Sequence, residues 1–271
     1  MPRRQRTNPP VLKRFGQHFL HDAATLQGIA DAVAPIAGET VIEIGPGRGA
    51  LTELLARRSE RLVAVEIDRE LSMKLEERYA DDAHVLIVEG DVLDADLALL
   101  AEGPFVVAGN VPYYITTPIL FHVLQPPYPR HAVFLVQQEV ADRIASPPGS
   151  RTYGALSVNV QAIADAEIVR RVPPSAFRPP PKVDSAVIRI TPKRAGLITA
   201  EEVRPFRSFV QAAFGMRRKQ LLNVIRAVRA VSAADAVSVL EREGIDPSAR
   251  PETITPAQFA SLMRATSDRA T

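Results

Sequence analysis

The chain has no cysteine among its 271 residues, which excludes disulfides, thiolate metal centres and cysteine nucleophiles and suits a reducing compartment. Long apolar runs are missing too. No uninterrupted stretch approaches the roughly 20 residues of a membrane helix, and the first residues lack the apolar segment of a secretory signal. A cytoplasmic protein without membrane association is expected. What is present, 46% hydrophobic residues over this length, suffices for one substantial core and a smaller second domain.

Acids are scarce only locally. The net charge of +2 hides two blocks without any acid: Arg3, Arg4, Arg6, Lys13 and Arg14 near the start, and Arg204, Arg207, Arg217, Arg218, Lys219, Arg226 and Arg229 within residues 203–234. One such block is compatible with a solvated face. Two of them flanking an acid-balanced middle point to phosphates, hence to nucleic acid.

Short β-branched runs at 40–44, 61–67, 85–88, 105–108 and 132–136 alternate with amphipathic stretches, the signature of a doubly wound parallel sheet. Two further strands are expected at 168–172 and 185–190, around a loop at 173–183 whose five prolines favour a rigid extended path. From Glu201 onward the period is helical, with Phe206, Phe209, Val210 and Ala213 on one face, then Leu221, Leu222 and Ile225. The expected division is a Rossmann-like α/β domain at 1–195 and a smaller all-helical domain at 196–271.

Residues 41–49, VIEIGPGRG, read as a strand ending in a glycine-rich turn that opens a helix, where Gly45 and Gly47 allow close approach of a ligand. Glu66 lies roughly 20 residues beyond, at the end of the next strand, where a carboxylate can accept both ribose hydroxyls of a nucleoside. A nicotinamide enzyme presents a similar pattern. The spacing here is G-x-G-x-G rather than G-x-G-x-x-G, and Asp91 closes the third strand where it can accept from an adenine amine. Both features favour S-adenosylmethionine over a dinucleotide. By itself, Asp91 reads equally as a helix cap.

The fourth strand runs into Asn110-Val111-Pro112-Tyr113, similar to the N-x-P-Y motif of methyltransferases that act on amines conjugated to a ring. An exocyclic adenine amine is a poor nucleophile because its lone pair is delocalised. Acceptors that hold its hydrogens and favour a tetrahedral nitrogen are therefore needed, and the Asn110 side-chain oxygen and Pro112 main-chain carbonyl are the candidates, with Tyr113 stacking on the base. No general base is required, since the amine sheds its proton once cationic.

The chain resembles the KsgA-type ribosomal RNA adenine dimethyltransferases over nearly its whole length. The matching segments are RFGQHFL at 14–20, the turn at 43–49, the motif at 110–113, QEV at 138–140, YGALS at 153–157 and FRPPPKVDS at 177–185. The resemblance implies a seven-stranded class I S-adenosylmethionine-dependent methyltransferase sheet with a helical C-terminal domain that binds rRNA. It further implies dimethylation of two adjacent adenosines near the 3′ end of small-subunit, 16S-type rRNA, within a pre-30S-type particle, by a monomer that needs no metal. Gln17, His18 and Leu20 would close over the cofactor, Gly45 would contact its methionine part, Glu66 its ribose and Asp91 its adenine, with Asn110 beside it. Phe177 would pack on the flipped base, and Arg14, Arg217, Arg218 and Lys219 would meet RNA phosphates. The family usually has Asn where this chain has His18, and Leu where it has Val111; His18 brings a titratable ring in place of an amide.

Alternatives stay open at this level: an adenine methyltransferase acting on large-subunit rRNA or DNA, a mainly non-catalytic assembly checkpoint factor, and a nicotinamide dehydrogenase. The last lacks an acid of the His, Lys or Tyr-x-x-x-Lys kind where hydride transfer would need one.

If Arg217, Arg218 and Lys219 contact phosphates, replacing all three by Ala lowers the magnitude of the salt slope of RNA affinity by roughly 2, at about 0.7–0.9 per contact. Titration of a small-subunit precursor at several salt concentrations measures this, and equal slopes for both proteins would remove the cluster from the interface.

Overall fold

The computed structural model describes residues 18–216 and 219–267. In chain order the elements are β1 (Phe19–Leu20), α1 (Ala23–Val33), β2 (Thr40–Ile44), α2 (Ala50–Ala56), β3 (Arg61–Glu66), α3 (Arg69–Arg78), β4 (Val85–Glu89), α4 (Leu97–Ala101), β5 (Phe105–Asn110), α5 (Thr116–Val123) and β6 (Ala132–Gln137). They continue with α6 (Gln138–Ala145), α7 (Ala155–Gln161), β7 (Ala164–Val172), β8 (Phe177–Arg178), β9 (Ser185–Pro192), α8 (Val203–Gly215), α9 (Leu221–Arg229), α10 (Ala233–Arg242) and α11 (Pro256–Ser267). No helix among the described residues is long and apolar enough to cross a membrane.

Seven strands form one sheet in the order β4-β3-β2-β5-β6-β9-β7. The first five pair in parallel. Every residue of β2 is buried, as are nearly all of β3, β5 and β6, because helices cover both faces; the edge strand β4 is only half covered. The chain moves outward through β2, β3 and β4, then returns to lay β5 on the other side of β2. That reversal of strand order makes the sheet doubly wound and leaves a crevice at the carboxyl ends of β2 and β5.

Register brings those ends into line. Ile44 stands opposite Val65 on one side and Gly109 on the other, while Glu66 pairs with Glu89. Below them Leu26, Ile29, Val33, Leu51, Leu55, Val106 and Leu135 share one apolar cluster, tying α1 and α2 to the sheet. Asp22 caps α1 by accepting from the Thr25 amide at 2.8 Å.

A second, two-stranded sheet pairs β1 with β8 antiparallel, Phe19 opposite Arg178 and Leu20 opposite Phe177. The proline-rich loop is therefore not extended throughout: a 3-10 turn at Pro174–Ala176 precedes β8. Strand β7 begins at Ala164, earlier than residue 168, where periodicity alone would start it.

The chain divides into two compact units. One holds the described residues up to Gln138 and Ile168–Arg189; the other holds Glu139–Glu167 and the described residues from Ile190 onward. The segment 139–167 thus groups with the C-terminal helices, whereas a boundary at 195 assigns it to the sheet domain. The reason is visible inside the second unit: Tyr153 is fully buried, its hydroxyl donates to the Ile254 carbonyl at 3.0 Å, and its ring meets Phe214, which stacks on Phe259. Arg229, one of the basic block, is also spent here, bonded to Thr266 at 3.0 Å with its guanidinium over Phe209.

At Gly109 a Cβ would lie 2.8 Å from the Ile44 carbonyl oxygen, a backbone atom that cannot swing aside. Gly109→Ala is expected to cost about 1–3 kcal/mol of stability through strand displacement, read as a lower denaturation midpoint. An unchanged midpoint would show that β2 and β5 have slack at this position.

Candidate functional site

The crevice at the ends of β2, β3, β4 and β5 is an open cleft. It gathers His18, Leu20, Gly45, Gly47, Glu66, Asp91, Asn110, Pro112 and Tyr113 in one wall system. Of the expected site residues, Gln17, Arg14, Arg217 and Arg218 lie outside the described residues. Lys219 is exposed in the C-terminal unit.

The glycine-rich turn is held by the acid expected to bind ribose. Gly45 and Gly47 take φ of 68° and 59°, values that favour glycine. The Gly47 amide donates to Glu66 Oε2 at 2.9 Å, and the Asp68 amide donates to Oε1 at 2.9 Å. Burial raises the Glu66 carboxyl above its ordinary range, and these two backbone bonds oppose the shift. Each oxygen keeps a further lone pair for a ligand hydroxyl. A pyrophosphate fits badly here, because the turn amide that would seat it already faces a carboxylate. A ribose hydroxyl pair fits.

Asp91 caps a turn at the edge of the cleft. Its Oδ1 accepts from the Leu93 amide at 2.9 Å, capping the turn Val92–Asp94, and the residue lines the cleft.

Asn110 is oriented by the chain segment opposite. Its Nδ2 donates to the His18 carbonyl at 3.1 Å, and only the nitrogen can make that bond, so the amide orientation is fixed by chemistry. Oδ1 is left as an acceptor, without a partner among the described residues. The segment carrying His18 is anchored in turn: its ring Nδ1 donates to the Pro179 carbonyl at 2.8 Å, and β1 pairs with β8. His18 therefore spends one ring N–H on the loop and leaves Nε2 beside the cleft.

Pro112 needs correcting. Its carbonyl accepts the Ile115 amide at 3.2 Å and the Thr116 hydroxyl at 3.2 Å, which occupies both lone pairs. The neighbouring Val111 carbonyl has no partner among the described residues and belongs to the cleft wall. The tight turn that Pro112 opens explains the difference, since the turn closes on its own carbonyl.

Tyr113 lies at the cleft with its hydroxyl 2.6 Å from Ser185 Oγ and its ring 6.0 Å from the His18 ring at 23°. Burial raises its phenol above the ordinary value, which keeps the group neutral. Phe177 also needs correcting: it is 1% exposed, packs in the cluster with Leu26 and Val187, and does not line the cleft. An apolar ring on β8 gains more from that core than from water, and from there it supports Leu20 across the two-stranded sheet.

Three residues of the site escape the motif reading. Arg48 lays its guanidinium 4.1 Å from the Phe19 ring centre, and Ser185 anchors Tyr113. Glu43 is fully buried in the cleft wall, with Oε2 lacking a partner among the described residues. Its signal was a lone acid inside an otherwise apolar strand. Among the described residues no group of three or more His, Asp or Glu is placed to hold a metal ion.

A family model for ribosomal RNA adenine dimethylase matches residues 11–268. The chain belongs to that family. It is 42% identical to the ribosomal RNA small subunit methyltransferase A of Xanthomonas axonopodis pv. citri, over 93% of this chain and 95% of that one. The protein of the same name from Acidobacterium capsulatum is also 42% identical, over 94% and 91%. Among solved structures, the 23S rRNA methyltransferase ErmE superposes with a TM-score of 0.73 at 27% identity, covering 92% of this chain and 99% of that one. A dimethyladenosine transferase from Plasmodium falciparum shares the fold with a TM-score of 0.78 at 24% identity, covering 90% and 96%. These dimethylase-family matches agree with a seven-stranded methyltransferase sheet carrying a helical C-terminal region.

Burial moves the Glu43 carboxyl from an ordinary 4.5 to about 8, so the folded protein holds a proton that the unfolded chain has released across that interval. The unfolded state then binds fewer protons, and stability falls as pH rises from about 4.5 to about 8, levelling beyond. Glu43→Gln is expected to flatten this dependence and to raise the melting temperature relative to wild type by a margin that widens up to about pH 8. Thermal melts of both proteins without ligand test it; parallel curves would contradict a protonated Glu43.

Proposed function

We propose that this chain is an S-adenosylmethionine-dependent enzyme that dimethylates the exocyclic amines of adenosines in small-subunit rRNA. The observation that carries the reading is the set orientation of Asn110, which presents a bare side-chain oxygen to the cleft while its nitrogen is occupied. Cofactor and family point the same way, because Glu66, Asp91 and the glycine turn suit a nucleoside and leave no seat for a pyrophosphate.

Bound in this cleft, S-adenosylmethionine supplies an electrophilic methyl carbon on a sulfonium. Glu66 would accept the ribose hydroxyls, Asp91 would accept from the adenine amine, and Leu20 on β1 with His18 just before it would cover the pocket. Asn110 Oδ1 and the Val111 carbonyl accept the hydrogens of the target amine, two before the first transfer and one before the second, which aims its lone pair and favours the tetrahedral nitrogen. Tyr113, held by Ser185, offers its ring to the target base. As the N–C bond forms the S–C bond breaks, a neutral thioether is left behind, and the cationic nitrogen loses a proton to water, so no base is needed on the protein.

The finer reading is that the targets are two adjacent adenosines near the 3′ end of the RNA, met in a pre-30S-type particle in the cytoplasm by a monomer. In this reading the sheet unit carries the chemistry, and 196–271, with Lys219, Arg217 and Arg218, bind rRNA together with Arg14. The 42% identity to small-subunit enzymes, against 27% to a large-subunit one, supports the choice of RNA.

Two variants separate binding from chemistry. Glu66→Ala is expected to weaken S-adenosylmethionine by roughly 1.5–3 kcal/mol in calorimetry, the range for hydrogen bonds to a charged group. Asn110→Ala is expected to leave that affinity nearly intact while lowering turnover at least about 100-fold, because its acceptor acts on the transition state. Unchanged affinity in the first variant, or a rate loss in the second explained by lost cofactor binding, would overturn these assignments.

A further inference from the structure

Downstream of Asn110 the chain makes a 3-10 turn, Tyr113–Ile115, in which successive side chains point about 120° apart. Tyr113 turns inward to Ser185. Tyr114 turns outward: it is 61% exposed yet still belongs to the wall of the same cleft. Among the described residues it has no hydrogen-bonding, ring or ionic partner. A large apolar ring is thus left in water at the mouth of the site, one residue from the ring that faces the target base.

The reaction creates a matching need. A base reaches Asn110 only after leaving its stack, and its departure strips one face from the adjoining base. RNA-binding proteins repair such a loss by laying an aromatic ring on the exposed base, a contact that tolerates any sequence because every base has a π-face. Neighbouring residues on a tight turn can offer neighbouring platforms.

We propose that Tyr114 is a substrate-positioning residue that stacks on the nucleotide next to the target adenosine, an inference resting on the reading that an extruded rRNA adenosine enters this cleft. Its ring does the work and its hydroxyl does not. It acts on RNA engagement, and the carboxylates and glycine turn act on the cofactor. With two adjacent targets, the ring holds one adenosine while the other is at Asn110.

Because Tyr114 is exposed, its substitution leaves the core untouched. The test is steady-state methyl transfer to unmethylated small ribosomal subunits by wild type, Tyr114→Ala, Tyr114→Phe and Tyr114→Leu, with S-adenosylmethionine affinity measured in parallel. The expected result for Tyr114→Ala is a KM for the particle raised about tenfold or more, the size of one base–aromatic stack lost. kcat should stay within about twofold and cofactor affinity should not move, as befits a uniform binding contact. Phe restores the KM and Leu does not. An unchanged KM in Tyr114→Ala, restoration by Leu as well as by Phe, or cofactor affinity that falls in step with the KM would each overturn the inference. A wild-type protein that transfers no methyl group to the particle defeats the proposed function and this inference with it, whereas an active wild type matched by Tyr114→Ala defeats the inference alone.

Discussion

The close parallel contact of β2 with β5 is the constraint on which the site depends. Where the strand order reverses, Ile44 meets Gly109 across the ladder, and only the missing side chain at Gly109 lets the two backbones approach so closely. From that line Gly45 turns one way and Asn110 the other. The cofactor turn and the acceptor for the target amine therefore share one fixed frame. Side chains that must act within a fraction of an ångström are best placed on such a scaffold, since strands hold geometry that free loops do not.

Around that frame the polar groups have double duties. Glu66 shapes the glycine turn before any ligand arrives and keeps lone pairs for a ribose. Asn110 is aimed by a carbonyl on the β1 segment, which is itself fastened to the proline-rich loop through His18 and Pro179. Two remote parts of the sequence thus converge to orient one amide. Burial raises the carboxyls of both Glu43 and Glu66, and loss of water around the charged form is the leading cause in each.

Much of this was legible in the residues. Strands buried on both faces betray themselves as continuous β-branched runs, so β2, β3, β5 and β6 were readable, and the glycine turn, Glu66, Asp91 and Asn110 follow from strand ends and spacing. What stayed hidden has physical reasons. Two-residue strands such as β1 and β8 have no period to read. The burial of Phe177 and of Arg229 depends on partners distant in sequence. That the Pro112 carbonyl is consumed by its own turn is a matter of backbone geometry, and it shifts the second acceptor to Val111. Tyr153 looked like one letter of a motif, whereas its buried hydroxyl ties residues 139–167 to the C-terminal helices.

The central claim is that this cleft places two methyl groups on adenosine amines of small-subunit rRNA. Mass spectrometry of nucleosides from that rRNA, taken from cells with the protein, without it, and with the Asn110→Ala form restored, addresses the claim directly. The account predicts N6,N6-dimethyladenosine in the first, and its loss both in the second and with the altered protein. Dimethyladenosine persisting without the protein, or disappearing only from large-subunit rRNA, would contradict it.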